Sequence, residues 1–201
     1  MRNFLIAMMA AGLLQAAETQ PVRRGKVLLE EEFNGSALAS EWKVAKGKWS
    51  VAGGKATGVE LAADKHAAVI RRNVAFRDGV IEVSFQMMPG AKMTAISLNS
   101  AKGHSCRVTV RPGELIVQKD KTNAKTADKA VVLARKAMTF EPGKWYTVTM
   151  EVRGTSVMAR VNNGEPIGGA HEAIAIDRTN IGLPVSGEGV VFESLRVWEA
   201  H

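Results

Sequence analysis

The sequence predicts an all-β protein, because polar and apolar residues alternate in many short stretches that turn residues separate. The alternation is clearest along residues 80–87 and 145–152. It is typical of antiparallel strands with one buried face. Further stretches repeat the pattern at 106–111, 115–118, 157–161 and 190–198. Many short strands at this spacing favour a sandwich or barrel.

Turn residues occur where the alternation stops. Pro112-Gly113 divides two stretches as a tight hairpin turn does, and Asn163-Gly164 follows another. Such residues accept the backbone angles that hairpin turns need. We expect at least ten strands in two packed antiparallel sheets, with no more than two short helices. The stretch 124–136 is the one predicted helix, and Trp145 and Trp198 are expected to be mostly buried.

The N-terminus has the features of a secretory signal. Arg2 precedes an apolar run over 4–14, and the small residues Ala16 and Ala17 follow it. This pattern predicts a signal peptide over 1–17 and one domain over 18–201, with the mature chain beginning near Ala17 or Glu18. A buried N-terminal helix is the alternative interpretation. The apolar run is too short for a membrane span. We expect a secreted or periplasmic protein.

Composition restricts the chemistry of the chain. The lone cysteine, Cys106, is expected to be a buried thiol, and no Cys/His metal spacing exists, so no metal or cofactor is predicted. The formal net charge is +7, with lysines and arginines clustered over 119–136. This cluster indicates either a patch for an anionic polysaccharide or an ordinary solvated surface. Few aromatic residues and no recognised module argue against a nucleic-acid partner.

Three segments resemble concanavalin-like lectin and glucanase domains. The opening 32–54, with Trp42 and Trp49, is similar to the first strands of that superfamily. The hairpin 140–164 and the closing stretch 181–198 match its later strands. Within the superfamily, the chain most resembles the 3-keto-disaccharide hydrolase domain family, which is related to family 16 glycoside hydrolases. The resemblance implies a two-sheet antiparallel jelly-roll sandwich and a carbohydrate partner.

The chain departs from these relatives in its catalytic motifs. Family 16 glucanases carry paired carboxylates on one strand, whereas Glu82 stands alone on its predicted strand. Of the polar segment typical of keto-disaccharide hydrolase domains, only Asn99-Ser100 and Arg107 remain reminiscent. Two functions stay open, beside a third interpretation as a structural envelope protein with no small ligand. The missing pair favours a non-catalytic carbohydrate-binding or surface-interaction module over a glycoside hydrolase-like enzyme that cleaves a keto-disaccharide or polysaccharide by hydrolysis or elimination.

No catalytic residue is assigned, but the polar members of the alternating strands define a candidate ligand groove. Amide, guanidinium and carboxylate groups suit sugar hydroxyls because they form paired hydrogen bonds. We expect four of the candidates, Glu82, Gln86, Arg107 and Arg160, to share one concave sheet face. The alternative is a solvated face with Glu–Arg pairs. The full candidate set is Glu82, Gln86, Asn99, His104, Arg107 and Arg160.

Overall fold

The computed structural model describes residues 22–201, in which two antiparallel sheets pack face to face. The predicted signal peptide, 1–17, lies outside the described residues. The strands are β1 (Arg24–Glu31), β2 (Trp42–Lys46), β3 (Lys48–Ala52), β4 (Lys55–Val59), β5 (Ala68–Phe76), β6 (Gly79–Met87), β7 (Ala91–Ser100), β8 (Gly103–Arg111), β9 (Glu114–Lys119), β10 (Val131–Ala137), β11 (Trp145–Arg153), β12 (Ser156–Val161), β13 (Ile167–Ala170), β14 (Arg178–Gly187) and β15 (Val190–Ala200). Two 3-10 helices, η1 (Ala62–Asp64) and η2 (Glu172–Ile174), complete the elements. Over residues 22–201, no helix has the length and apolar character needed to cross a bilayer.

The topology is that of a jelly-roll sandwich. The eight-stranded sheet has the order β13-β12-β11-β6-β15-β4-β3, and β1 also pairs with β15. The seven-stranded sheet has the order β10-β9-β8-β7-β14-β5-β2. Strands distant in sequence are therefore neighbours, as β14 is of β5 and β7. The predicted two-sheet antiparallel fold, with more than ten strands and two short helices, is confirmed.

The core lies between the sheets and is formed by alternate residues of each strand. On β6, Val83 and Phe85 point inward, and on β8, Cys106 and Val108 do so. The alternation read from the sequence is thus confirmed for both strands. The prediction of a buried thiol is also confirmed. Burial raises the pKa of the Cys106 thiol, so the side chain behaves as a small apolar core residue.

The helix expected over 124–136 is wrong. Residues 131–137 form β10, an edge strand that pairs with β9. A bulge between Val132 and Ala134 breaks the pairing, so the alternation of side chains is irregular. Alanine and lysine at these positions favour a helix locally, but pairing with an available sheet edge overrides that preference.

The two tryptophans expected to be mostly buried differ in their surroundings. Trp198 is 9% exposed. The Arg24 guanidinium covers its ring, 4.3 Å from the ring centroid, as in cation–π pairs. Trp145 is also mostly buried, as expected, although part of its ring reaches solvent. It neighbours Tyr146, which points into the core, and therefore faces the outer side of β11.

This difference predicts unequal effects of truncation. Phe140 is 1% exposed and its ring centroid lies 5.0 Å from that of Tyr146. Phe140→Ala should lower the free energy of unfolding by about 3–5 kcal/mol, as large core truncations do. Trp145→Ala should cost less because its side chain lies on the outer face of the sheet and is partly exposed. Urea denaturation of both variants measures the difference, and an equal or larger loss for Trp145→Ala would contradict this packing.

Candidate functional site

The six predicted site residues divide between two outer faces of the sandwich. Glu82 and Gln86 lie on β6 and Arg160 on β12, all in the eight-stranded sheet. Arg107 lies on β8 of the seven-stranded sheet. Because the sheets pack through their inner faces, these outward side chains point in opposite directions. The expectation that Glu82, Gln86, Arg107 and Arg160 share one concave face is wrong, since alternation distinguishes inside from outside but not one sheet from the other.

On the eight-stranded face, the predicted residues bond to protein partners. A polar cleft of about 480 Å³ lies there. Glu82 forms an ion pair with Arg24, and Arg160 forms one with Glu151. The Gln86 side-chain amide donates to the main-chain carbonyl of residue 143. These bonds match the alternative interpretation of a sheet face with cross-strand ion pairs.

The outer face of the seven-stranded sheet contains a second cleft, of about 210 Å³, which is lined by Asn99, His104 and Arg107. Its floor is recessed. Ser97 and Asn99 are only 4% and 6% exposed although they point away from the core. Val69 and Pro184 add an apolar strip beside them. We refer to this recess as the seven-stranded cleft.

A lateral row of residues crosses this cleft in register. Arg71 on β5 pairs with Gly182 on β14, which pairs with Ser97 on β7. Ser97 in turn pairs with Arg107 on β8. The two arginines are three strand spacings apart, about 14 Å between Cα atoms. The row therefore places a long basic side chain on either side of two small residues.

Gly182 opens the floor of the cleft between these walls. A Cβ atom at this position would lie 3.7 Å from Arg71 Cγ and 3.9 Å from Asn99 Nδ2. Those are ordinary contacts, so the backbone would accept a Cβ atom here. The absence of one leaves space between the arginine and the amide that a ligand can enter.

A buried carboxylate orients Arg107. Its Nε donates to both Asp120 oxygens at 2.8 Å, and the Asp120 side chain is only 2% exposed. Gln118 Nε2 donates to the same carboxylate at 2.7 Å. Within residues 22–201, the two terminal nitrogens of Arg107 have no hydrogen-bond partner. Asp120 thus fixes the guanidinium by one edge and leaves its other donors available to a ligand.

His104 is held by a chain of two asparagines. Its Nδ1 lies 2.6 Å from Asn99 Oδ1, and Asn99 Nδ2 donates to Asn180 Oδ1 at 2.8 Å. Because the Asn99 nitrogen donates to Asn180, the Asn99 oxygen is the atom that faces His104, and an amide oxygen can only accept. The proton of the neutral imidazole is therefore assigned to Nδ1. The other nitrogen, Nε2, has no partner within the described chain. It is therefore a free acceptor at the cleft.

Burial lowers the pKa of His104, which is therefore neutral at pH 7. The nearby Asp120 carboxylate acts in the opposite direction, while the positive charges of Arg107 and Arg71 lower the pKa further. An uncharged histidine with a free Nε2 can accept a proton from a bound molecule.

The loop 120–130 supports the start of β8. The His104 amide donates to the Thr122 carbonyl at 2.8 Å. Gly103 has φ +131°, and a Cβ there would approach that carbonyl to 2.2 Å, so only glycine allows the contact. The buried Lys119 forms an ion pair with the partly exposed Asp128 that anchors the loop, and this partner holds the pKa of the Asp128 carboxyl well below its usual range.

Several residues of the cleft were not found from the sequence. His66 and Arg71 flank the run 67–70, which consists of four consecutive apolar residues. The start of β5 therefore shows no alternation from which an outward-facing position could be predicted. Gly182 lies on β14, within the closing stretch that resembles the family, but the resemblance assigns it no role in binding. Asp120 follows β9 directly, so only the register of β8 and β9 shows that it meets Arg107. The described part of the chain contains no group of three or more His, Cys, Asp or Glu side chains suited to a metal ion.

Comparison with known families identifies the chain. The profile of the 3-keto-alpha-glucoside-1,2-lyase-like domain, also termed the 3-keto-disaccharide hydrolase domain, matches residues 29–197. The chain therefore belongs to this family, and the resemblance found in the sequence is confirmed. None of the curated proteins searched matches the chain.

Solved structures with the same fold come from carbohydrate-active proteins. The carbohydrate binding module CBM66 from Bacillus subtilis is 16% identical with a TM-score of 0.67, covering 81% of this chain and 98% of that one. A laminarinase from Rhodothermus marinus is 10% identical with a TM-score of 0.65, over 90% of this chain and all of that one (100%). The Crh5 transglycosylase is 15% identical with a TM-score of 0.64, over 92% and 90% of the two chains. These likenesses establish the jelly-roll fold, and together with the family they support a function related to carbohydrates.

The surroundings of His104 predict how its pKa responds to Arg107→Gln. The substitution removes a positive charge and leaves Asp120 without its arginine, and both changes favour the imidazolium. The pKa of His104 should therefore rise, as measured by NMR titration of the ring protons. Arg153→Gln makes the same charge change at the far end of β11 and should leave the pKa unchanged. An unchanged or lower pKa in Arg107→Gln would contradict the described geometry.

Proposed function

We propose that this chain binds a glycoside of a keto-sugar in the seven-stranded cleft and cleaves it by β-elimination. The observation that carries the proposal is the neutral His104, held through Nδ1 by Asn99 with its Nε2 free at the cleft. The family description, a lyase of 3-keto-alpha-glucosides, supplies the substrate class. The same cleft accounts for both binding and chemistry.

His104 is suited to remove an activated proton. In a 3-keto-glucoside, the hydrogen on C2 is acidic because the neighbouring C3 carbonyl stabilises the carbanion as an enolate. Nε2 takes this proton, and the electrons of the C2–H bond form the C1=C2 double bond. The C1–O bond breaks, and the departing oxygen takes a proton from the protonated His104 or from water. The products are an unsaturated keto-sugar and a free alcohol.

Arg107 is placed to stabilise the charge that develops in this step. Donors that are fixed before the reaction lower its barrier because they need not reorganise. The terminal nitrogens of Arg107 are such donors, since Asp120 holds the guanidinium through Nε. Asp120 is thus a positioning residue. The apolar strip of Val69 and Pro184 suits the C–H face of a sugar ring.

The chemistry of the cleft favours elimination over glycoside hydrolysis by two carboxylates. That hydrolysis needs an acid and a nucleophile or base at fixed separation. None of the residues lining the seven-stranded cleft is Asp or Glu. The nearby Asp120 carboxylate is already bonded to Arg107 and Gln118. A single neutral histidine suffices for proton abstraction next to a carbonyl.

Non-catalytic binding of a carbohydrate in the same cleft is the second candidate function. It is favoured by the likeness to a carbohydrate binding module and by the absence of the glucanase carboxylate pair. The N-terminal sequence signal supports a secreted or periplasmic location for either function.

The test uses the p-nitrophenyl 3-keto-α-glucoside and its C2-deuterated form. Elimination predicts nitrophenol release with a primary isotope effect, because nitrophenolate leaves readily and removal of the C2 proton is then the slow chemical step. His104→Gln should lower kcat by roughly 100-fold or more, the usual contribution of a general base. His201→Gln, outside the cleft, should keep wild-type activity.

Each other outcome has a clear meaning. Wild-type protein that binds the substrate without cleaving it would contradict elimination and support the binding function. Full activity in His104→Gln would exclude His104 as the base.

A further inference from the structure

We propose that the natural ligand carries an acidic group, the carboxylate of a uronate or a sulfate ester, and that Arg71 binds it at the wall of the cleft opposite Arg107. The inference rests on the proposed function only for the location of the site. It adds a specificity-determining residue and a class of ligand. A carboxylate and a sulfate present the same chemistry to an arginine, namely two anionic oxygens able to accept parallel hydrogen bonds.

The first observation is that Arg71 lacks an acidic partner. Within residues 22–201, its guanidinium forms no ion pair or hydrogen bond. The adjacent Arg72, which points to the other side of β5, lies 3.8 Å from Glu31 and 3.7 Å from Glu41. Arg107 across the cleft is paired with Asp120. Arg71 therefore differs from its neighbours in having all of its donors available.

The second observation is an excess of positive charge in the cleft. The lining includes the charged Arg71 and Arg107 but no acidic residue. The nearby Asp120 carboxylate offsets one arginine, which leaves the charge of Arg71 uncompensated. Such a site attracts anions and disfavours cations.

The third observation is the space beside Arg71. Its lateral neighbour in the sheet is Gly182, so no side chain separates the guanidinium from the floor. Ser97, the next residue in the row, is also small. An acidic substituent can therefore reach Arg71 while the sugar lies over this floor. Arg107 and His104, on the far side of the same floor, remain free to contact another part of the ligand.

Arginine is suited to this role because its planar group forms two parallel hydrogen bonds to a carboxylate or sulfate. Lysine at the same position would keep the charge but lose the paired geometry. Arg71→Lys should therefore retain part of the preference for acidic ligands, whereas Arg71→Gln should lose it.

Calorimetric titration of the purified protein tests the proposal with paired sugars. The panel contains oligosaccharides of glucuronate, galacturonate and mannuronate with their carboxyl-reduced forms, and a sulfated galactose oligosaccharide with its desulfated form. At least one acidic sugar should bind tenfold or more tightly than its neutral counterpart. Arg71→Gln should erase this preference. Arg153→Gln, the same charge change on an exposed residue of the other sheet, should preserve it.

The proposal is overturned if no acidic sugar binds more tightly than its neutral pair, if nothing in the panel binds, or if the preference persists in Arg71→Gln. Cleavage of the neutral 3-keto-glucoside by the wild-type protein, without any preference for acidic sugars, shows that the proposed function stands on its own. A preference for acidic sugars in a protein that cleaves no 3-keto-glucoside shows that the binding proposal stands while the proposed function fails.

Discussion

The bond between Arg107 and Asp120 is the interaction on which the organisation of the site depends. Asp120 is almost fully buried, and a buried carboxylate is stable only when it is paired and hydrogen-bonded. Arg107 and Gln118 provide those bonds, and in return the carboxylate fixes Arg107 by its Nε edge. Loss of Asp120 would release the guanidinium from this orientation. It would also remove the negative charge that offsets Arg107 beside His104.

The same region shows how the fold converts a sheet surface into a site. Gly103 allows the loop 120–130 to approach β8, and the main-chain bond between His104 and Thr122 fixes the start of that strand. Asn99 then orients the imidazole from the neighbouring strand. Three segments of chain thus determine the position of one histidine. The charged residues of the opposite sheet face bond instead to one another, as in the pair formed by Arg160 and Glu151.

The sequence predicts which side chains are buried wherever a strand has one face in the core and the other in solvent. The inward positions of β6 and β8 follow from their alternation, and the buried Cys106 follows with them. The distribution of strands between sheets could not be derived, because pairing between distant segments depends on the whole chain. Glu82 and Arg107 were therefore placed on one face although they occupy opposite faces. Arg71 was missed because an apolar run conceals the period of β5.

The central claim is that the seven-stranded cleft is the place where a carbohydrate binds and reacts. Gly182→Val tests it most directly, because the backbone there accepts a side chain that fills the cleft floor. The measurement is the rate of 3-keto-glucoside cleavage, with the unfolding midpoint as a check on the fold. Thr149→Leu fills the cleft of the other face and is the matched control. We predict that Gly182→Val loses at least tenfold in rate at an unchanged midpoint while Thr149→Leu stays active. Full activity in Gly182→Val, together with its loss in Thr149→Leu, would contradict the account.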